Sequence, residues 1–189
     1  MRRHGRYPIG GLGGAAAIVV VLLALAPALA LAADQPSEHD VKAAFLYHFS
    51  QYVEWPETAF DSSKAPFVLG VVGDDGFLPA ISSAVADKMA AGRRIVVKTV
   101  RTPAEMRACH IVFVTLPEAQ HLSGILDSLD ALPVLVVGDM PGFAGAGGDI
   151  GFVIDEGKVG FQINPTAARR AGLKISSKLL RLAEIVDAD

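Results

Sequence analysis

The hydrophobic positions of this chain change period along its length, and the changes mark out its elements. From Val41 to Pro56 the sequence reads VKAAFLYHFSQYVEWP. Val41, Ala44, Phe45, His48, Phe49, Tyr52 and Val53 recur there at spacings of three and four, which predicts an amphipathic helix. Ser37, three residues before Asp40, offers a capping box in which each side chain satisfies an orphan backbone donor. Pro56 ends the helix, because the residue before a proline is pushed out of the helical region. Phe45, Tyr47, Phe49, Tyr52 and Trp55 all crowd into this segment, so it needs a large surface to cover it.

After a polar connector at 61–66, continuous apolar runs replace the helical period. Phe67 to Val72 is one such run, closed by Gly73-Asp74-Asp75-Gly76. Ile95 to Val100, Ile111 to Val114 and Pro133 to Val137 follow, the last closed by Gly138-Asp139. Runs of this kind predict strands buried on both faces. Between them lie helical patterns. Leu78, Ile81, Val85 and Met89 share one face of a helix that Gly92 ends. Thr102-Pro103-Ala104-Glu105 begins a short helix with a cap, a proline at the first position and a glutamate three after the cap. Pro117 to Leu129 carries Leu122, Ile125, Leu126 and Leu129 inward. Ile150 to Ile154 and Val159 to Ile163 are joined by Asp155-Glu156-Gly157-Lys158, a connection that fits only an antiparallel hairpin. Asn164-Pro165 opens a short helix that Gly172 breaks. Ser176 caps a last helix with Leu179, Leu182, Ala183 and Val186 at helical spacing.

This alternation predicts an α/β three-layer sandwich: a mostly parallel sheet of about five to six strands with an antiparallel edge hairpin, and helices on both faces. No second domain is needed.

The N-terminus stands apart from this pattern. Arg2, Arg3 and Arg6 precede an apolar run from Ala15 to Ala26, and Ala30-Leu31-Ala32 has the small-x-small form of a cleavage site. Residues 1–33 therefore read as a secretory signal peptide and residues 34–189 as a single exported domain. An uncleaved anchor is the competing reading, since the segment approaches the length of about 20 residues that spans a bilayer. Pro27 and the small residues beside it favour cleavage, and both readings place the domain outside the cytoplasm.

Export alters the charge balance. The chain has 189 residues, with 17 basic and 20 acidic. Without Arg2, Arg3 and Arg6, 14 basic residues face the 20 acidic ones, a net charge of −6. That sign excludes binding by phosphate neutralisation, so no nucleic-acid partner is expected. Cys109 is the only cysteine, which rules out an intrachain disulfide and predicts a small buried hydrophobe just before a strand.

No catalytic constellation assembles from the sequence. It contains no G-x-S-x-G elbow, no H-E-x-x-H and no paired-cysteine spacing. Neither a cofactor nor a metal is expected. Asp74, Asp75 and Asp139 follow apolar strands and gather where doubly wound sheets bind ligands. Gly73, Asp74, Thr115 and Asp139 accordingly form a candidate ligand cleft, although aspartate and glycine at such places also simply suit turns. Gly145 to Gly148 precedes a hairpin rather than a helix and so lacks the dipole of a phosphate loop. His48, on the apolar side of the first helix, reads as a packed neutral histidine. Tyr47 and Trp55 carry polar handles off the main stripe and are candidates for a partner surface.

Five segments in order, AAFLYHFSQYVEWP, GRRIVVKTV, CHIVFV, FAGAGGDIGFVIDEGKVGFQIN and AGLKISSKLLRLA, resemble the YfiR-like family of bacterial periplasmic regulators, from Val41 to about Ala183. In that resemblance Phe45, Phe49, Val53 and Pro56 belong to the family core. The resemblance implies a regulator rather than an enzyme. Its partner would be the periplasmic portion of a membrane-anchored diguanylate cyclase, repressed so that cyclic di-GMP and biofilm formation fall. It also implies a homodimer and, as a further partner, an outer-membrane lipoprotein. Cysteine pairs used by some members do not carry over, because only Cys109 is present. The alternative expectation is a periplasmic small-molecule-binding domain that signals to a membrane receptor kinase, with its ligand at Gly73, Asp74, Thr115 and Asp139.

Overall fold

The computed structural model describes residues 36–186. The signal segment expected at 1–33 lies outside the described residues. None of the described residues form a helix long and apolar enough to cross a membrane.

Helix α1 spans Glu38–Tyr52, and its capping box is formed as expected: Asp40 N–H donates to Ser37 Oγ while Ser37 N–H donates to Asp40 Oδ2. Its buried face differs from the one expected. The helix buries Lys42, Ala43, Leu46, Phe49 and Ser50, while Ala44, His48 and Tyr52 are exposed and Val41 and Phe45 half-buried. Apolar residues surround this helix, so Ala43, Leu46 and Phe49 form a second series at helical spacing, and packing against the sheet selects that one. His48 is therefore outside, not packed.

The sheet follows in alternation. Strand β1 is Val53–Glu54, β2 is Phe67–Val72, α2 is Leu78–Val85, β3 is Met89–Ala90 and β4 is Arg93–Thr99. Then come α3 (Pro103–Arg107), β5 (Ile111–Val114), α4 (Leu122–Leu129), β6 (Leu135–Gly138), β7 (Ile150–Asp155) and β8 (Lys158–Ile163). The chain closes with α5 (Pro165–Arg170), β9 (Lys174–Ile175), α6 (Ser177–Leu180) and β10 (Glu184–Ile185). An eight-stranded sheet runs in the order β10-β8-β7-β6-β5-β2-β4-β3, with β1 and β9 paired separately. Six of the eight are the long strands read from the sequence; β3 and β10 are two-residue additions at the edges. The pairs from β4 through β7 are parallel, and β7 pairs antiparallel with β8.

Alternate residues of the central strands feed opposite layers. Leu69, Val71, Ile111, Phe113, Leu135 and Val137 join a core with α1, α2, α5 and α6. Val72, Val112, Val114, Val134 and Val136 join a second core with α3 and α4. This two-sided burial accounts for the continuous apolar runs and makes the molecule a three-layer sandwich.

Three helices are shorter than the periodicity indicates. Helix α2 stops at Val85, and Met89 stands in β3 with 49% of its surface exposed. Gly92 does not end a helix. It follows Ala91 in a two-residue turn in which both residues have positive φ, 48° and 71°, the geometry that suits a tight hairpin. The last helix is the single turn α6. Leu182 is 74% exposed, and Glu184–Ile185 lie parallel to the end of β8, with Val186 N–H donating to Ile163 O. A short apolar run fits a helix or an edge strand equally, and the open edge of β8 decides. Helix α4 is preceded by a 3-10 stretch, Leu116–His121, so only its second half is α-helical.

Candidate functional site

The topological switch point lies between β2 and β5, because the chain leaves β2 for β4 on one side and returns to β5 on the other. Loops diverge there, and open α/β sheets bind ligands at such crevices. Gly73 and Thr115 meet at this point. Thr115 is 1% exposed, and its hydroxyl donates to Val72 O at 3.0 Å and accepts from Asp74 N–H at 2.7 Å. Gly73 has φ +98°, and a Cβ on it would lie 2.3 Å from Thr115 Oγ1. The crevice is thus stitched shut at its centre. Asp74 is exposed, with Oδ1 accepting from Gly76 N–H at 2.8 Å. Open space begins beside the stitch: a cleft of about 750 Å³, bordered by Gly73, Arg101, Met106, Glu118 and His121.

Asp139, the remaining member of the expected cleft, directly follows β6 and faces α1. Its Oδ1 lies 2.5 Å from Lys42 Nζ, and Glu38 accepts from the same ammonium. Lys42 is buried and sits 5.9 Å from the ring centroids of both Phe77 and Phe152. The structure therefore brings Gly73, Asp74 and Thr115 together and turns Asp139 toward a lysine. Sequence reasoning missed Lys42. Its signal was a cation placed four residues after Glu38 amid apolar neighbours.

Trp55 and Tyr47 do not share one surface feature. Trp55 is half-buried; its Nε1–H donates to His110 O at 3.1 Å, and its ring meets Phe67 edge-on at 4.9 Å. Tyr47 is half-buried under Lys88, whose Nζ stands 4.3 Å from the ring centroid. Phe49 and Val53 are buried, while Phe45 and Pro56 are half-buried. Among the described residues the exposed large hydrophobics are Tyr52, Met89, Leu116, Ile154, Leu182 and Ile185. A shallow apolar groove of about 320 Å³ runs along the outer flank of α1, bordered by Pro36, Val41, Ala44, Phe45 and His48.

Two buried groups have strongly constrained chemistry. His110 stacks between Phe60 and Phe67, with centroids 4.5 and 4.8 Å away. Its Nδ1 accepts from Val68 N–H at 3.0 Å, which leaves Nε2 to carry the proton toward Ala59 O at 3.1 Å. Burial foremost lowers its pKa below the ordinary 6.5, so the ring is a neutral structural bridge. Cys109 Sγ donates to Glu105 O at 3.3 Å, and burial pushes the thiol up to about 11, which makes it unreactive. Among the described residues no group of three or more His, Cys, Asp or Glu side chains is arranged to hold a metal ion.

The fold defines the class: an α/β three-layer sandwich whose switch point is closed by Thr115. Within that class the chain belongs to the YfiR/HmsC-like family, whose model matches residues 39–184. No curated protein matches the chain. Among solved structures it is similar to an ABC domain from Streptococcus pneumonia in complex with L-Trp, at 13% identity and a TM-score of 0.48, over 64% of this chain and 55% of that one. It is also similar to a conserved domain protein from Vibrio cholerae, at 16% identity and a TM-score of 0.45, over 62% of this chain and 54% of that one. The chain spans about half the length of these two structures, and likeness at this level says nothing of what it binds.

Proposed function

We propose that the chain is a periplasmic regulatory protein that binds the periplasmic portion of a membrane-anchored diguanylate cyclase and represses it. The observation that carries this reading is the family match over residues 39–184. Repression by a bound protein is a population shift: the regulator must bind one conformation of the cyclase more tightly than the other. The exposed flank of α1 supports such a role, since Val41, Ala44, Phe45 and His48 border an apolar groove on the side of the helix turned away from the sheet. Tyr47 and Trp55, half-buried and outside this groove, are proposed as separate partner contacts. A homodimer and an outer-membrane lipoprotein partner belong to the same proposal, as does export by residues 1–33.

The test is genetic. Deleting the gene should raise cellular cyclic di-GMP and biofilm mass, and a plasmid copy should restore both. An unchanged nucleotide level in the deletion strain would overturn the repressor role.

A second reading, a small-molecule sensory domain that signals to a membrane receptor kinase, draws support from the cleft of about 750 Å³ beside Gly73. Its ligand would enter between α3 and α4 and contact Gly73, while Thr115 closes the crevice behind it and Asp139 faces α1 instead. Loss of a kinase response on deletion, with cyclic di-GMP unchanged, would favour it.

A further inference from the structure

A second cleft, of about 330 Å³, opens where α4, the loop before β7 and α5 meet. Asp149 lies in its lining although only 4% of the residue is exposed. One carboxylate oxygen, Oδ2, accepts from Val136 N–H at 2.7 Å. The other, Oδ1, accepts no hydrogen bond among the described residues. No fully enclosed side-chain oxygen of the described residues lacks a partner. Oδ1 is therefore not fully enclosed, and Asp149 lines this cleft.

The surroundings fix what would complete it. Arg170, at the rim, is the cation whose charge reaches Asp149, yet its guanidinium is engaged with Asp130 at 3.4 Å. Asp127 and Asp130 stand at the same mouth, so three carboxylates face one guanidinium. Between rim and floor the apolar side chains of Leu126, Val134 and Val136 form one part of the lining, beside Ser123 and Gly147. Burial raises the Asp149 carboxyl to about 7, so near neutrality it lacks only a close cation to be held ionised. A metal ion is a poor match, since no three ligating side chains converge among the described residues. An alkyl chain with an ammonium at each end matches floor, walls and rim together.

We infer that this cleft binds a small aliphatic amine, with one ammonium on Asp149 Oδ1, the carbon chain against Leu126 and Val136, and a second cation at Asp127 and Asp130. The cleft is separate from the α1 flank and from the cleft beside Gly73. The inference thus stands or falls independently of the cyclase reading.

The experiment is calorimetric titration of the chain purified from the periplasm, with putrescine as the probe and 1,4-butanediol and succinate as controls. Putrescine should bind one to one with a Kd below about 1 mM, and neither control should bind. Asp149→Asn keeps an oxygen to accept from Val136 N–H and should fold, as read by circular dichroism, with affinity for putrescine reduced at least about tenfold. Leu126→Trp, which fills the cleft from a half-exposed wall position, should abolish binding and serves if Asp149→Asn fails to fold. No saturable binding of putrescine to the wild type would overturn the site. Equal binding by the wild type and either folded variant would also overturn it.

Discussion

Lys42 and Asp139, 97 residues apart in sequence, hold each other at 2.5 Å and tie α1 to the carboxyl end of β6. The ammonium is almost fully buried and is compensated by that partner and by Glu38. Truncating one side of a buried pair leaves an uncompensated charge, at a cost of about 3–5 kcal/mol. Lys42→Met and Asp139→Asn should each lower stability on that scale in urea denaturation. The double variant should recover a large part of the loss. Additive losses would show that the two residues act separately.

His110 makes stability sensitive to acid. Its folded-state pKa lies below the ordinary 6.5, so as pH falls through 6.5 the unfolded chain takes up a proton that the folded chain refuses. Stability should therefore decline below that pH until the folded imidazole itself titrates. Protonation there would set an N–H of Nδ1 against the Val68 N–H it now accepts from. His110→Phe keeps the stacking volume between Phe60 and Phe67, and the difference in urea midpoint between it and the wild type should shift in the variant's favour as pH falls below 6.5. A constant difference would show that His110 is not the acid-sensitive group.

Asp149 slopes the other way. Its carboxyl rises from 3.8 to about 7 on folding, so the folded chain holds the proton more tightly. Stability from this group is full below 3.8 and is lost as pH rises toward 7. Asp149→Asn should remove that decline, so the variant should gain on the wild type across the interval in thermal denaturation. A gap independent of pH would contradict the assignment.

Phe143 is clasped between glycines. A Cβ on Gly138 or on Gly148 would fall 2.0 Å from its ring, and the ring is buried. The glycine-rich loop is thus a slot for one aromatic side chain. Gly138→Ala should cost about 1–3 kcal/mol or more through overpacking, and Phe143→Ala about 3–5 kcal/mol through the cavity. Gly138→Ala on a Phe143→Leu background should cost less than on the wild type, measured by chemical denaturation. Equal costs would show that the ring does not require the glycine.

Most of the layer architecture was legible because the central strands are apolar on both faces and their turns carry Gly and Asp. The capping residues Ser37, Thr102 and Asn164 marked helix starts that the structure keeps. What misled was periodicity in segments with more than one apolar face. Helix α1 offers two apolar series, and the choice between them depends on the sheet beneath. Met89 and Leu182 fit a helical spacing, yet one lies in an edge strand and the other is exposed beyond a single helical turn. Gly73 and Thr115 directly follow β2 and β5, and the structure brings them into contact at the switch point. Only coordinates reveal that the Thr115 hydroxyl is already engaged on both sides. Lys42 showed only its spacing of four from Glu38, with Asp139 far along the chain, and Asp149 carried no local motif.

The most direct test of the account is binding between the periplasm-purified chain and the isolated periplasmic domain of the host's membrane diguanylate cyclase, measured by calorimetry. A saturable complex is predicted, weakened by charges placed on the α1 flank, such as Ala44→Glu, with the fold unchanged. No complex with any periplasmic cyclase domain of the host would contradict the regulator reading.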